Sequence, residues 1–152
     1  MASWADLEAD APDFAARVLR VFGSRRHKTV ATLRRDGSPR ISGIEVEFSE
    51  GEVWLGMMPA SVKSLDLRRD PRLALHAQSE DPPAEDPGTW AGDAKLAGIA
   101  IEQAAPGQPQ LASKRFKVDI AEVVLTRVGP SADHLLIEAW HPGRGLQLQR
   151  RR

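Results

Sequence analysis

The sequence predicts a mainly β fold, an antiparallel barrel of six to seven strands with a few flanking helices. Short runs that alternate apolar and polar residues recur from His27 to Trp140. Tight turn dipeptides, Asp36-Gly37 and Glu50-Gly51, join neighbouring runs directly, which favours hairpins over the crossovers of a parallel sheet. Helical periodicity is confined to the N-terminus and to one short stretch after Pro59. At 152 residues the chain has the size of one domain, and no composition shift or repeat divides it, so 1–152 is read as a single unit.

The first element, 1–23, is an amphipathic helix: Leu7, Ala11, Phe14, Val18 and Val21 recur at helical spacing, and Ser3 with Asp6 forms a capping-box pattern. Pro12 kinks it or restarts it, with Asp10 as the expected cap, and Gly23 closes it. Strands follow at 28–34 and 40–48, the second with Ile44, Val46 and Phe48 on one face and Glu45 and Glu47 on the other. A third strand, 53–57, leads into a short helix that Pro59 and Ser61 begin and Asp70-Pro71 ends; this helix is expected to cover one barrel mouth. The fourth strand, 72–78, sets Leu73 and Leu75 against Ala74 and His76. Residues 79–92 form an acidic, Pro-rich loop with one large apolar residue, Trp90. Strands at 95–101, 116–125 and 135–140 complete the set, with a second loop at 105–109 and a break at Gly129-Pro130. The end, 145–152, with Arg150, Arg151 and Arg152, is read as a frayed solubilising tail.

Composition narrows function. With 21 basic and 21 acidic side chains, no whole-molecule field holds a nucleic acid or an anionic membrane. No cysteine is present, which removes disulfides, thiol nucleophiles and thiolate metal sites and suits a reducing cytoplasm. The first residues carry acids where a signal peptide carries bases, and no apolar run reaches the length of a membrane helix, so a soluble cytoplasmic protein is expected. His27, His134 and His141 lack metal-ligand spacing, so no metal site is expected.

The candidate ligand-binding element is Met58-Pro-Ala-Ser-Val-Lys-Ser64. There Lys63 offers a point charge and Ser61 a hydroxyl beside the unpaired N–H groups of a helix start, a set that suits a phosphate monoester. The same residues also read as a capped helix with a solvated face. His76 and Gln78 face a cofactor or solvent. Trp140 stacks on a ligand or packs in an interface. Arg68, Arg69 and Arg72 steer an anionic ligand or make surface ion pairs.

Three segments carry a resemblance: Arg34-Arg-Asp-Gly-Ser-Pro-Arg-Ile-Ser42, Val53-Trp-Leu-Gly-Met-Met-Pro-Ala-Ser-Val-Lys63 and Asp66-Leu-Arg-Arg-Asp-Pro-Arg72. In this order and spacing they resemble the pyridoxamine 5′-phosphate oxidase-like family of flavin-binding split barrels. Ala139-Trp-His-Pro-Gly-Arg144 is similar to a family ending. The resemblance implies a dimeric split barrel, a homodimer with a site for FMN or the related deazaflavin coenzyme at each subunit interface. It makes Lys63 the phosphate-binding lysine and puts Ser61 where some members carry an arginine. Arg40, Ser42 and Gly43 fall on the strand that in relatives runs beside the flavin ring. Gly43 reads either as a close approach to ligand or as a β-bulge.

Because a flavin carries the hydride itself, the absence of a nucleophile-base constellation is no objection, and no general acid is assigned. The implied activity is a flavin- or deazaflavin-dependent oxidoreductase acting on a small organic molecule. The alternative is a non-catalytic flavin- or haem-binding dimer, with His141 as the candidate haem ligand.

Overall fold

The structure, a computed structural model, describes residues 1–103 and 115–152; the loop expected at 105–109 lies outside the described residues. Helix α1, Trp4–Asp10, begins with the expected capping box: the Ser3 Oγ accepts from the Asp6 N–H at 3.1 Å, and the Asp6 Oδ2 accepts from the Ser3 N–H at 2.9 Å. Pro12 restarts the chain as α2, Pro12–Ser24. Its cap is Ala11 rather than Asp10, whose Oδ2 instead accepts the Trp140 indole N–H at 2.7 Å. The helix runs one residue past Gly23.

The strands are β1, Lys28–Leu33; β2, Pro39–Ser49; β3, Glu52–Gly56; β4, Arg72–Gln78; β5, Asp93–Gln103; β6, Arg115–Val128; β7, Leu135–His141; and β8, Gly145–Arg151. Helix α3, Val62–Arg69, lies between β3 and β4. Hydrogen bonding follows the order β3-β2-β1-β4-β5-β6, and β6 returns to β3 through Trp54 opposite Lys117 and Leu55 opposite Phe116. These six strands close an antiparallel barrel, and closure removes their sheet edges. β6 is long enough to continue past the barrel and pair with β7, which pairs with β8.

The eighth strand corrects the sequence reading of 145–152 as a tail. Gly143 and Gly145 take positive φ of 80° and 72°, turning the chain back so that Leu146 lies opposite Trp140 and Arg150 opposite Leu136. Almost every residue of β8 is exposed, so the inward apolar face that marks other strands is missing from its sequence.

The barrel interior is filled by Val30, Leu55, Leu75, Leu96, Val118, Ile120 and Leu125, and α2 adds Phe14, Val18, Val21 and Phe22 to the same core. Phe48 bridges barrel and helices through edge-on contacts with Trp4 and Phe22, at ring-centre distances of 4.7 and 5.2 Å. No helix among the described residues is long and apolar enough to cross a membrane.

Candidate functional site

Between β3 and β4 the chain makes a short approach at 57–60 and enters α3. Ser61 caps the helix in extended backbone: its Oγ accepts from the Ser64 N–H at 3.3 Å and its carbonyl from the Leu65 N–H at 3.1 Å. The Ser64 hydroxyl donates to the Pro59 carbonyl at 2.7 Å, which fixes the approach to the helix. The N–H groups of Val62 and Lys63 are left without an acceptor among the described residues. The half-buried Lys63 side chain has no hydrogen bond or ion pair among them either. One free cation and two free N–H groups therefore converge at the first turn of α3, an arrangement that attracts an anion.

What holds this turn in place is a residue the sequence reading passed over. Asp66 is buried on the barrel-facing side of α3, where its Oδ2 accepts from the Thr32 hydroxyl of β1 and from Arg40 Nε of β2, both at 2.8 Å. Its Oδ1 accepts from Arg69 Nη2 at 2.9 Å, and the same nitrogen donates to the Leu33 carbonyl. One carboxylate thus fastens the helix to two barrel strands. Burial alone would raise its pKa, but the hydrogen bonds from Arg40, Thr32 and Arg69 outweigh it and hold the carboxyl below the usual aspartate range. Apolar periodicity did not point to it: Val62 and Leu65, two of the helix's three apolar residues, are exposed, while Ser64, Asp66 and Leu67 are buried.

Glu138 on β7 repeats the device on the other side of the molecule, gripped by both terminal nitrogens of Arg17 and by Arg127 Nε at 3.0 Å. Burial pushes it up, yet the two guanidinium groups hold it below the ordinary glutamate value. Both groups bind protons more weakly folded than unfolded. Their stabilisation is therefore complete above the unfolded values, about 3.9 for Asp and 4.3 for Glu, and is lost as pH falls through the lower folded values. Urea midpoints measured across a pH series are expected to hold above that point and fall below it. An acid limb unchanged in the Asp66→Asn, Glu138→Gln double variant would contradict this assignment.

The other sequence-predicted residues divide. Arg40 and Ser42 lie on the inward-leaning side of β2, with Arg40 committed to Asp66 and Ser42 half-buried opposite Val30. Gly43 pairs with Thr29 in unbroken register, so the bulge reading falls; the barrel's register shift lies between Ala97 and Gly98. A Cβ at 43 would meet nothing within 4 Å, leaving the outer face of β2 open beside Ile41, which is 75 % exposed. Gln78 is exposed at the far end of β4, and the His76 ring meets Asp93 Oδ1 at 2.7 Å. Trp140 is buried, its N–H taken by Asp10, and no described contact joins it to Ser61 or Lys63. His141 Nε2 faces Glu122 Oε1 at 3.1 Å, and its Nδ1 is buried without a partner. Arg68 and Arg72 are paired within the chain to Glu102 and Asp70. Glu45 meets Arg26 at the surface. No cluster of three or more His, Asp or Glu side chains fit to hold a metal exists among the described residues.

A helix start carrying a free lysine on a closed six-stranded barrel can be compared with solved structures. A pyridoxamine 5′-phosphate oxidase-related, FMN-binding protein from Nostoc punctiforme superposes with a TM-score of 0.68 at 10 % identity, over 97 % of this chain and 99 % of the other. The fold is the pyridoxamine 5′-phosphate oxidase-like split barrel. PhzG from Burkholderia lata, solved with tetrahydrophenazine-1-carboxylic acid, shares it with a TM-score of 0.62 at 10 % identity, covering 99 % of this chain and 96 % of its own. So does a haem-binding protein from Mycobacterium smegmatis, at 0.54 and 14 % identity, over 99 % of this chain and 88 % of the other. No family model and no curated protein matches the sequence. In this split barrel β7 and β8 are additions to the closed six-stranded barrel.

Proposed function

We propose that the protein is a flavin- or deazaflavin-dependent oxidoreductase acting on a small organic molecule, working as a cytoplasmic homodimer. The observation that carries the reading is the unpartnered Lys63 beside free N–H groups at the start of α3, on a barrel similar to one described as FMN-binding. Lys63, the Val62 and Lys63 N–H groups and the Ser61 hydroxyl would hold a phosphate. The open backbone at Gly43 would let a flat ring approach β2. Once bound, a flavin supplies hydride transfer; the protein's part is to orient it and exclude water. A second copy supplies the cover that one chain lacks. Met58, Val62 and Leu65 at the start of α3, and Ile41 on the outer face of β2, are exposed apolar side chains suited to a partner.

Lys63→Ala is expected to weaken FMN binding by about 1.5 to 3 kcal/mol, roughly tenfold to a hundredfold in Kd, the scale of a charge-assisted contact. Absorbance and fluorescence titration with FMN, the deazaflavin coenzyme and haem checks it. Equal affinity in the variant removes Lys63 from the site, and failure of both flavins to bind sinks the reading. The alternative, a non-catalytic flavin- or haem-binding dimer, draws support from the haem-binding neighbour. It is the weaker reading because His141 Nε2 would have to leave Glu122 to meet iron, and Nδ1 is enclosed.

A further inference from the structure

At the opposite end of the barrel from Asp66 and α3, a cavity of about 350 Å³ opens between the C-terminus of α2 and the 79–92 loop. The separation follows from register. Asp66 bonds Thr32 at one end of β1, whereas the loop leaves β4 beyond His76, which pairs with Thr29 near the other end. The cavity is lined by Arg20 and Ser24 of α2 and by Glu80, Asp81, Pro83 and Trp90 of the loop. Its loop wall is organised: the Trp90 indole N–H donates to the Glu80 carbonyl at 2.5 Å, and the Ser79 hydroxyl ties the two loop ends together through the Gly92 carbonyl at 2.5 Å.

Opposite charges line this one cavity without neutralising each other. Arg20, Glu80 and Asp81 form no ion pair among the described residues. Arg20 lines the cavity from α2 and Glu80 and Asp81 line it from the loop, so the cation and the two carboxylates come from different elements. A guanidinium from α2, two carboxylates from the loop, and an indole and a proline in the same lining match a ligand that carries both charges and an apolar group. The volume falls within the range of small-molecule sites, roughly 300 to 1,000 Å³.

We infer that this cavity binds a free α-amino acid with a large apolar side chain. Its carboxylate is held by Arg20, its ammonium group by Glu80 and Asp81, and its side chain by Trp90 and Pro83. The site is separate from the one at α3 and does not depend on the flavin reading.

Calorimetric titration of the full chain with L-phenylalanine tests it. Saturable binding of one molecule per chain is expected. N-acetyl-L-phenylalanine, which lacks the ammonium charge, and the methyl ester, which lacks the carboxylate, are each expected to bind at least about tenfold more weakly, the loss of one charged contact. Arg20→Ala and the Glu80→Gln, Asp81→Asn pair should weaken L-phenylalanine by a similar factor; these residues are exposed, and unchanged melting curves would show that the fold is kept. Lys63→Ala should leave this binding untouched. Absence of saturable binding, a blocked analogue that binds as tightly as L-phenylalanine, or full affinity in Arg20→Ala would each overturn the assignment.

Discussion

Asp66→Ala is expected to destabilise the protein by about 3 kcal/mol, the lower end of the cost of breaking a buried ion pair. The lower end applies because the abandoned arginines have an escape: Arg40 and Arg69 are about a quarter and a third exposed and can turn to water. The Thr32 hydroxyl, buried, cannot. In equilibrium urea unfolding the loss should appear as a lower midpoint with an unchanged slope, and in a thermal scan as a drop of roughly 6 to 12 °C for a chain of this size. Asp66→Asn should cost less but not recover the wild type, since its amide nitrogen is a donor facing donors. Both variants also loosen α3, so under the proposed function FMN affinity should fall with them although Asp66 is not among the groups proposed to hold the phosphate. An unfolding free energy within about 0.5 kcal/mol of wild type, the size expected of an ordinary surface change, would show that the hydrogen bonds to Asp66 are dispensable.

Gly98→Ala is expected to cost about 3 kcal/mol or more, the top of the range for forcing extra volume into a packed site. The added Cβ would lie 2.1 Å from the Asp119 carbonyl oxygen and 3.0 Å from its carbon, so a main-chain strand must move rather than a side-chain tip. The site is also where β5 and β6 shift register, with Ala97 opposite Glu122 but Gly98 opposite Ile120, leaving Ala121 as the extra residue. β5 and β6 form the longest pairing in the barrel, and β6 also closes it onto β3, so a displaced Asp119 disturbs both seams. Gly43→Ala is the matched control: that glycine is also in a barrel strand, but its Cβ meets nothing, and its stability should change little. Equal behaviour of the two variants would remove close approach as the reason for Gly98.

Much of the barrel was legible because each strand has one buried face, and burial writes a period of two into the residues. β4 was read to its last residue because Leu73, Leu75 and Ala77 point inward between a proline and a loop. The turns at Asp36-Gly37 and Glu50-Gly51 were legible for a backbone reason: Gly37, Glu50 and Gly51 have positive φ. β8 was not legible, since an exposed strand on the sheet's outer edge leaves no such pattern. Asp10 illustrates a different loss. Its position before Pro12 marks it as a cap, but Trp140, 130 residues away in sequence, takes its carboxylate.

The succession of strands, the capped helix after β3 and the place of Lys63 in its first turn follow from local rules of turn, cap and periodicity, and these the chain carries in its own sequence. Which charges are free and which are spent was decided only by the tertiary structure. Arg40 and Arg69 look as available as Lys63 in sequence, yet both end on Asp66, while Lys63 has no ion-pair partner among the described residues. The physical reason is that pairing depends on distances between strands brought together by barrel closure, and a buried carboxylate must collect its partners from whatever closure places beside it.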